Sequence, residues 1–120
     1  MLELSGLVKR TPFLFTDLDG KVHELEITEF TIADTKKLVQ LQKPILENND
    51  MDVIDQSELI ISSRIVCAVK VRGTNEYFWP TISDLTGKAY PNELGTALYT
   101  EVNKLNPFDV ESHDEKKSES

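Results

Sequence analysis

Between Phe13 and Glu29 the chain alternates apolar and polar side chains with period two, interrupted once at Asp17-Leu-Asp-Gly20. Phe13 and Phe15 alternate with Leu14 and Thr16, and His23, Leu25 and Ile27 alternate with Glu24, Glu26 and Thr28. That period belongs to half-buried strands, so a hairpin is predicted. Its register follows from the loop. A two-residue Asp19-Gly20 turn would set Phe15 against Glu24 and Phe13 against Glu26. A three-residue loop, Leu18-Asp19-Gly20 with Gly20 left-handed, sets Phe13 against Leu25, Phe15 against His23 and Asp17 against Lys21. A slip of one residue turns every side chain to the other face, and only the second loop leaves one consistently apolar face.

Beyond the hairpin the period changes. Thr31-Ile-Ala-Asp34 pairs a hydroxyl with a carboxylate three residues on, which predicts a capped helix start. This helix is expected to run to about Leu41, with Leu38 and Leu41 facing inward. Pro44 is expected to break it, because proline removes a backbone donor and clashes with the preceding turn. Ile45 and Leu46 would then continue a second, offset turn, and residues 47–50 form a loop. Ser57 is the expected cap of a helix containing Leu59, Ile60, Ile61, Ile65, Ala68 and Val69. Ile65, Cys67, Val69 and Val71 also alternate as a strand would, so residues 65–71 fit either a helix end or a strand. Arg72-Gly-Thr-Asn75 ends the segment in both cases. Thr81 or Ser83 is expected to start one short helical turn before Gly87. Leu94, Ala97, Leu98, Val102 and Leu105 lie on one stripe at helical spacing, with Pro91 suited to the first turn and Asn106-Pro107 as the stop.

The predicted fold class is therefore α+β: an N-terminal β-hairpin followed by a small bundle of about three to four helices. Residues 1–108 are expected to form a single globular domain, since 120 residues suffice for one core and not for two. From Asp109 onward the chain is polar and charged, and a flexible acidic tail over 109–120 is expected. No apolar run approaches the roughly 20 residues needed to span a bilayer, and Glu3 stands where a signal peptide would carry positive charge. Cys67, the only cysteine, lies in an apolar run, which fits a buried thiol in a reducing cytoplasm. The net charge of −8 would repel a phosphate backbone, so no nucleic-acid partner is expected.

Few residues offer chemistry. Phe-Thr-Asp17-Leu-Asp19-Gly20 carries the Asp-x-Asp pair with which a magnesium-dependent phosphatase makes a nucleophile at a strand tip. That fold needs a parallel sheet with helical crossovers, and here an alternating second strand follows Gly20 directly. A calcium loop fits worse, because Phe15 stands where the first oxygen ligand belongs. The aspartates are read as shaping and solubilising a hairpin tip. His23 and His113 are far apart, and neither stands at metal-ligand spacing from Cys67. Ser62-Ser63 lacks a nucleophile elbow. Neither a metal nor a cofactor is expected. Aromatic side chains are the remaining candidates for partner binding: Tyr77, Phe78, Trp79, Tyr90 and Tyr99. The first three serve equally as a cover for the core over the last helix.

The order of parts, with FTDLDGKVHELEITEFTIADTKKLVQL in the first half and PNELGTALYTEVNKLNPFD near the end, resembles the tail assembly chaperones of long-tailed bacteriophages. The resemblance implies a non-catalytic protein made in the bacterial host cytoplasm during infection. It implies binding to the tape-measure protein and recruitment of tail-tube subunits around it, with self-association left open. Many genes of that family are read in two frames. Glu115-Lys116-Lys117 can be encoded as GAA AAA AAG, so the codons of Lys116 and Lys117 are the candidate slippage site. The other readings are a structural tail or adaptor component of the particle and a small phosphatase using Asp17.

Overall fold

The computed structural model describes residues 8–107. The element order is β1 (Arg10–Thr16), β2 (Val22–Thr28), α1 (Ile32–Glu47), α2 (Val53–Ala68), β3 (Val69–Val71), α3 (Ile82–Thr86) and α4 (Asn92–Leu105). Strands and helices form a mixed α+β fold, as expected, and most of their buried apolar side chains form one cluster. The expected tail, 109–120, lies outside the described residues, as do His113, Lys116 and Lys117.

The hairpin adopts the three-residue register. Phe13 pairs with Leu25, Phe15 with His23 and Thr16 with Val22. Gly20 has φ of +83°, the left-handed value that side-chain-bearing residues resist. Leu25 and Ile27 are fully buried on one face, while Leu14 and Val22 lie open on the other. A third strand completes the sheet in the order β1-β2-β3. Antiparallel pairing sets Leu25 against Val71, Glu26 against Lys70 and Ile27 against Val69. Helix and strand thus share residues 65–71: the helix ends at Ala68, where Val69 takes an extended conformation and the strand begins.

Thr31 caps α1 through the expected box, its hydroxyl accepting from Asp34 N while Asp34 Oδ2 accepts from Thr31 N. The helix does not break at Pro44 but runs on to Glu47. Pro44 lies on the exposed side, so water can serve the Gln40 carbonyl that loses its donor. The inward side keeps its anchor in buried Ile45, whose carbonyl also accepts from Gln56 Nε2 of α2. The second helix begins earlier than expected. Asp52 rather than Ser57 is its cap, accepting from Ile54 N, because an aspartate accepts from the first turn as readily as a serine does.

Thr81 caps α3 by the same box, here with Asp84, and Gly87 ends it. Helix α4 buries Leu94, Leu98 and Val102 against β2 and α2. Ala97, expected inward, is exposed: it lies at the edge of the stripe and has too small a side chain to reach the core. Full burial of Leu98 contributes roughly 2–3 kcal/mol. Asn106 caps α4 and ties it to the β2–α1 junction. Its Nδ2 donates to Thr28 O at 3.0 Å, and its Oδ1 accepts from Phe30 N at 2.7 Å. Among the described residues no helix is long and apolar enough to cross a membrane.

Candidate partner-binding groove

The hairpin tip is organised by Asp17. Its Oδ1 accepts from the backbone N–H groups of Asp19 and Lys21, both at 2.9 Å, and its Oδ2 lies 2.8 Å from His23 Nε2. The His23 contact first, then the Lys21 amide, hold the Asp17 carboxyl below the usual carboxylate range. Both oxygens are therefore occupied within the hairpin. The aspartate shapes the tip as expected, but the histidine is an addition that the sequence reading missed. A signal existed. Period two places Asp17 on the same face as Phe15, and Phe15 pairs with His23.

Aromatic rings continue that face. Phe15 stacks on His23 at 4.9 Å between centroids, and Phe78 meets His23 edge-on at 5.4 Å. Trp79 is buried behind them, edge-on to Phe78 at 4.8 Å and to Tyr90 at 5.8 Å. Its indole N–H donates to the Tyr90 hydroxyl at 3.4 Å, so the ring's only polar atom is satisfied. A groove of about 570 Å³ opens over this cluster. Phe78, Trp79 and Tyr90 line it together with Asp17, Asp19 and His23 of the tip and with Asp84 and Lys88. Leu18 also lines it and is strongly exposed. The site combines ring faces with carboxylates, a chemistry suited to holding a partner's apolar or cationic side chains.

Of the five aromatic candidates, the structure thus gathers three. Trp79 serves chiefly the core, whereas Phe78 and Tyr90 remain half-buried at the groove. Tyr99 lies on α4 and lines a separate hollow of about 450 Å³, with Ile61, Ile65, Leu94 and Tyr90 also on its wall. Tyr77 belongs to neither.

Tyr77 instead joins a buried polar cluster that the sequence reading did not foresee. Its hydroxyl donates to Asp34 Oδ1 at 2.7 Å, and Lys70 Nζ donates to Asp34 Oδ2 at 3.0 Å and to Thr28 Oγ1 at 3.1 Å. Lys37 places its ammonium 3.6 Å from the centre of the Tyr77 ring and donates to Pro80 O at 2.7 Å. Burial opposes the charged form of Asp34. The Thr31 amide, the Tyr77 hydroxyl and Lys70 outweigh it and hold the carboxyl below its ordinary value. Burial and the adjacent Asp34 push the Tyr77 hydroxyl well up. Every member is satisfied, so the cluster rigidifies the junction of α1 with the sheet.

Cys67 is fully buried, and burial pushes its thiol up to about 11, far from a reactive thiolate. Among the described residues no three His, Cys, Asp or Glu side chains are placed to hold a metal ion. Compared with known proteins, the chain matches no protein-family model, no curated protein and no solved structure.

Proposed function

We propose that this protein is a phage tail assembly chaperone: a non-catalytic binder of the tape-measure protein that helps recruit tail-tube subunits in the host cytoplasm. The observation that carries the reading is the open groove beside the hairpin tip. There Phe78 and Tyr90 stay partly exposed next to a strongly exposed Leu18, although the core is closed beneath them. Aromatic side chains left at a surface groove are typical anchors for a protein partner, and an exposed leucine beside them adds apolar area. The resemblance of the chain's two halves to tail assembly chaperones supplies the identity of that partner.

The test is co-expression with the tape-measure protein encoded in the same genome. Co-purification of the two, weakened by Leu18→Asp with Phe78→Ala, is the expected result. Failure to keep the tape-measure protein soluble would sink the proposal. Presence of the chain in purified particles would favour a structural tail or adaptor component. Expression of the native gene with its downstream DNA and a tag at Met1 adds an independent check. A minor longer product that vanishes when Lys116 and Lys117 are recoded synonymously supports the family's two-frame reading.

A further inference from the structure

The outward side of α1 carries an apolar row that nothing else among the described residues covers. Ile32, Val39 and Leu46 are 92 %, 59 % and 60 % exposed. They recur every seven residues, so on a helix they form one nearly straight ridge. The row lies roughly 130° around the helix from the inward side chains Asp34, Leu38, Leu41 and Ile45, at about 100° per residue. It is therefore not a frayed edge of the core. Solubility alone would favour polar residues at all three places.

Charge runs beside the row in an ordered way. Lys36 and Lys43 each follow a row member by four residues and are exposed. In heptad terms Ile32, Val39 and Leu46 occupy a positions, and the lysines occupy the e positions that choose a coiled-coil partner by charge. Glu47 lies on the far side of the lysines from the row. We infer that the outward face of α1 is a docking seam for a partner helix whose apolar stripe is flanked by carboxylates.

Two other occupants fit less well. Antiparallel pairing of two copies about Val39 would bring Lys36 of one copy toward Lys43 of the other, with no carboxylate between them. Two copies also each carry a net charge of −8. An anionic membrane would meet that same net charge, and a ridge one residue wide, without aromatic rings, buries little in a bilayer. The seven-residue period matches a helix. Of the d positions, Thr35 is polar and exposed, whereas Gln42 is half-buried and donates to Ser63 Oγ of α2, so the pairing rests on the a row and should be weak and strongly dependent on the lysines. The inference deepens the binding role proposed above and rests on it only in expecting a protein client.

The experiment uses the full chain and a fluorescein-labelled helical peptide of about three heptads, with leucine at a and d and glutamate at e and g. Anisotropy should show binding that weakens with salt, and amide shifts should cluster on residues 32–46. Val39→Glu and the pair Lys36→Glu, Lys43→Glu should each weaken it at least about tenfold. Their urea midpoints should match the parent, because these side chains are outside the core. A peptide with lysine in place of glutamate should bind the parent poorly and the charge-reversed pair better. Several results would overturn the inference: no binding, shifts confined to the aromatic groove, or indifference to peptide charge. So would binding to phosphatidylglycerol vesicles that Val39→Glu abolishes, or a dimer in sedimentation that the same change dissociates. Because the peptide tests the surface and co-expression tests the client, either idea can fail alone.

Discussion

Asp34 and Lys70, 36 residues apart in sequence, form a 3.0 Å ion pair in which each side chain is only 3 % exposed. The carboxylate also closes the α1 capping box and accepts from Tyr77, so one group joins the start of a helix to the edge of the sheet. Isolated, either charge would be expensive to bury. Together, with Thr28 and Thr31 completing the hydrogen bonds, they specify how α1 docks.

Lys70→Met leaves a buried carboxylate without its counter-charge and should destabilise the fold by about 3 kcal/mol. Adding Asp34→Asn should recover part of that loss, because a neutral amide needs no ammonium. Urea unfolding of the two single variants and the double variant gives the coupling, expected at about 1–2 kcal/mol. Strict additivity would mean that the pair does not couple.

Acid should weaken the protein through the same groups. Asp17 and Asp34 both titrate below the usual carboxylate value when folded. A depressed folded-state value stabilises the protein above the ordinary carboxylate pKa, near 4, and that contribution is lost as pH falls through the lower folded value. Urea midpoints should therefore stay level from neutral pH to about 5 and fall below about 4. Asp17→Asn should flatten the decline. An unchanged slope in that variant would remove Asp17 from the account.

Asn106→Ala should cost about 2–3 kcal/mol, because Phe30 N and Thr28 O lose their partner in a half-buried junction. Hydrogen exchange at Phe30 should accelerate more than exchange at Phe13, which is bonded within the hairpin. Uniform acceleration would indicate global loosening instead of a lost staple.

Two helix interruptions can be repaired. A Cβ added at Gly95 meets nothing within 4 Å, so Gly95→Ala should stabilise by about 1 kcal/mol. Pro44→Ala restores a donor for the Gln40 carbonyl and should add about 1–2 kcal/mol, less the entropy returned to the unfolded chain. Thermal unfolding reads both gains. A loss at position 44 would mean that α1 depends on a proline-set geometry.

Local patterns in the sequence were enough for the hairpin register and for the Thr31 capping box, and they left Thr81 and Ser83 as alternative starts of α3. A strand's period and a helix's first turn involve neighbours within a few residues, so their chemistry is visible in order along the chain. The α4 stripe was legible for the same reason, apart from Ala97 at its margin. Pro44 misled because its effect depends on which side of the helix meets water. The start of α2 misled because Asp52 and Ser57 are both competent caps, and the Asp52 cap together with the Gln56 bond to the Ile45 carbonyl holds the longer helix.

Three-dimensional packing made the remaining choices. Residues 65–71 satisfied two periods at once, and pairing with β2 turned the last of them into a strand. Lys70 stands between two valines, and its burial depends on Asp34, distant in sequence, which supplies its counter-charge. The aromatic candidates separated likewise: Trp79 went to the core, Tyr77 to the buried cluster, and Phe78 and Tyr90 to the groove. Sequence pattern specifies which face of each element is apolar. Which polar groups can afford burial depends on partners that only the assembled chain brings within hydrogen-bond reach.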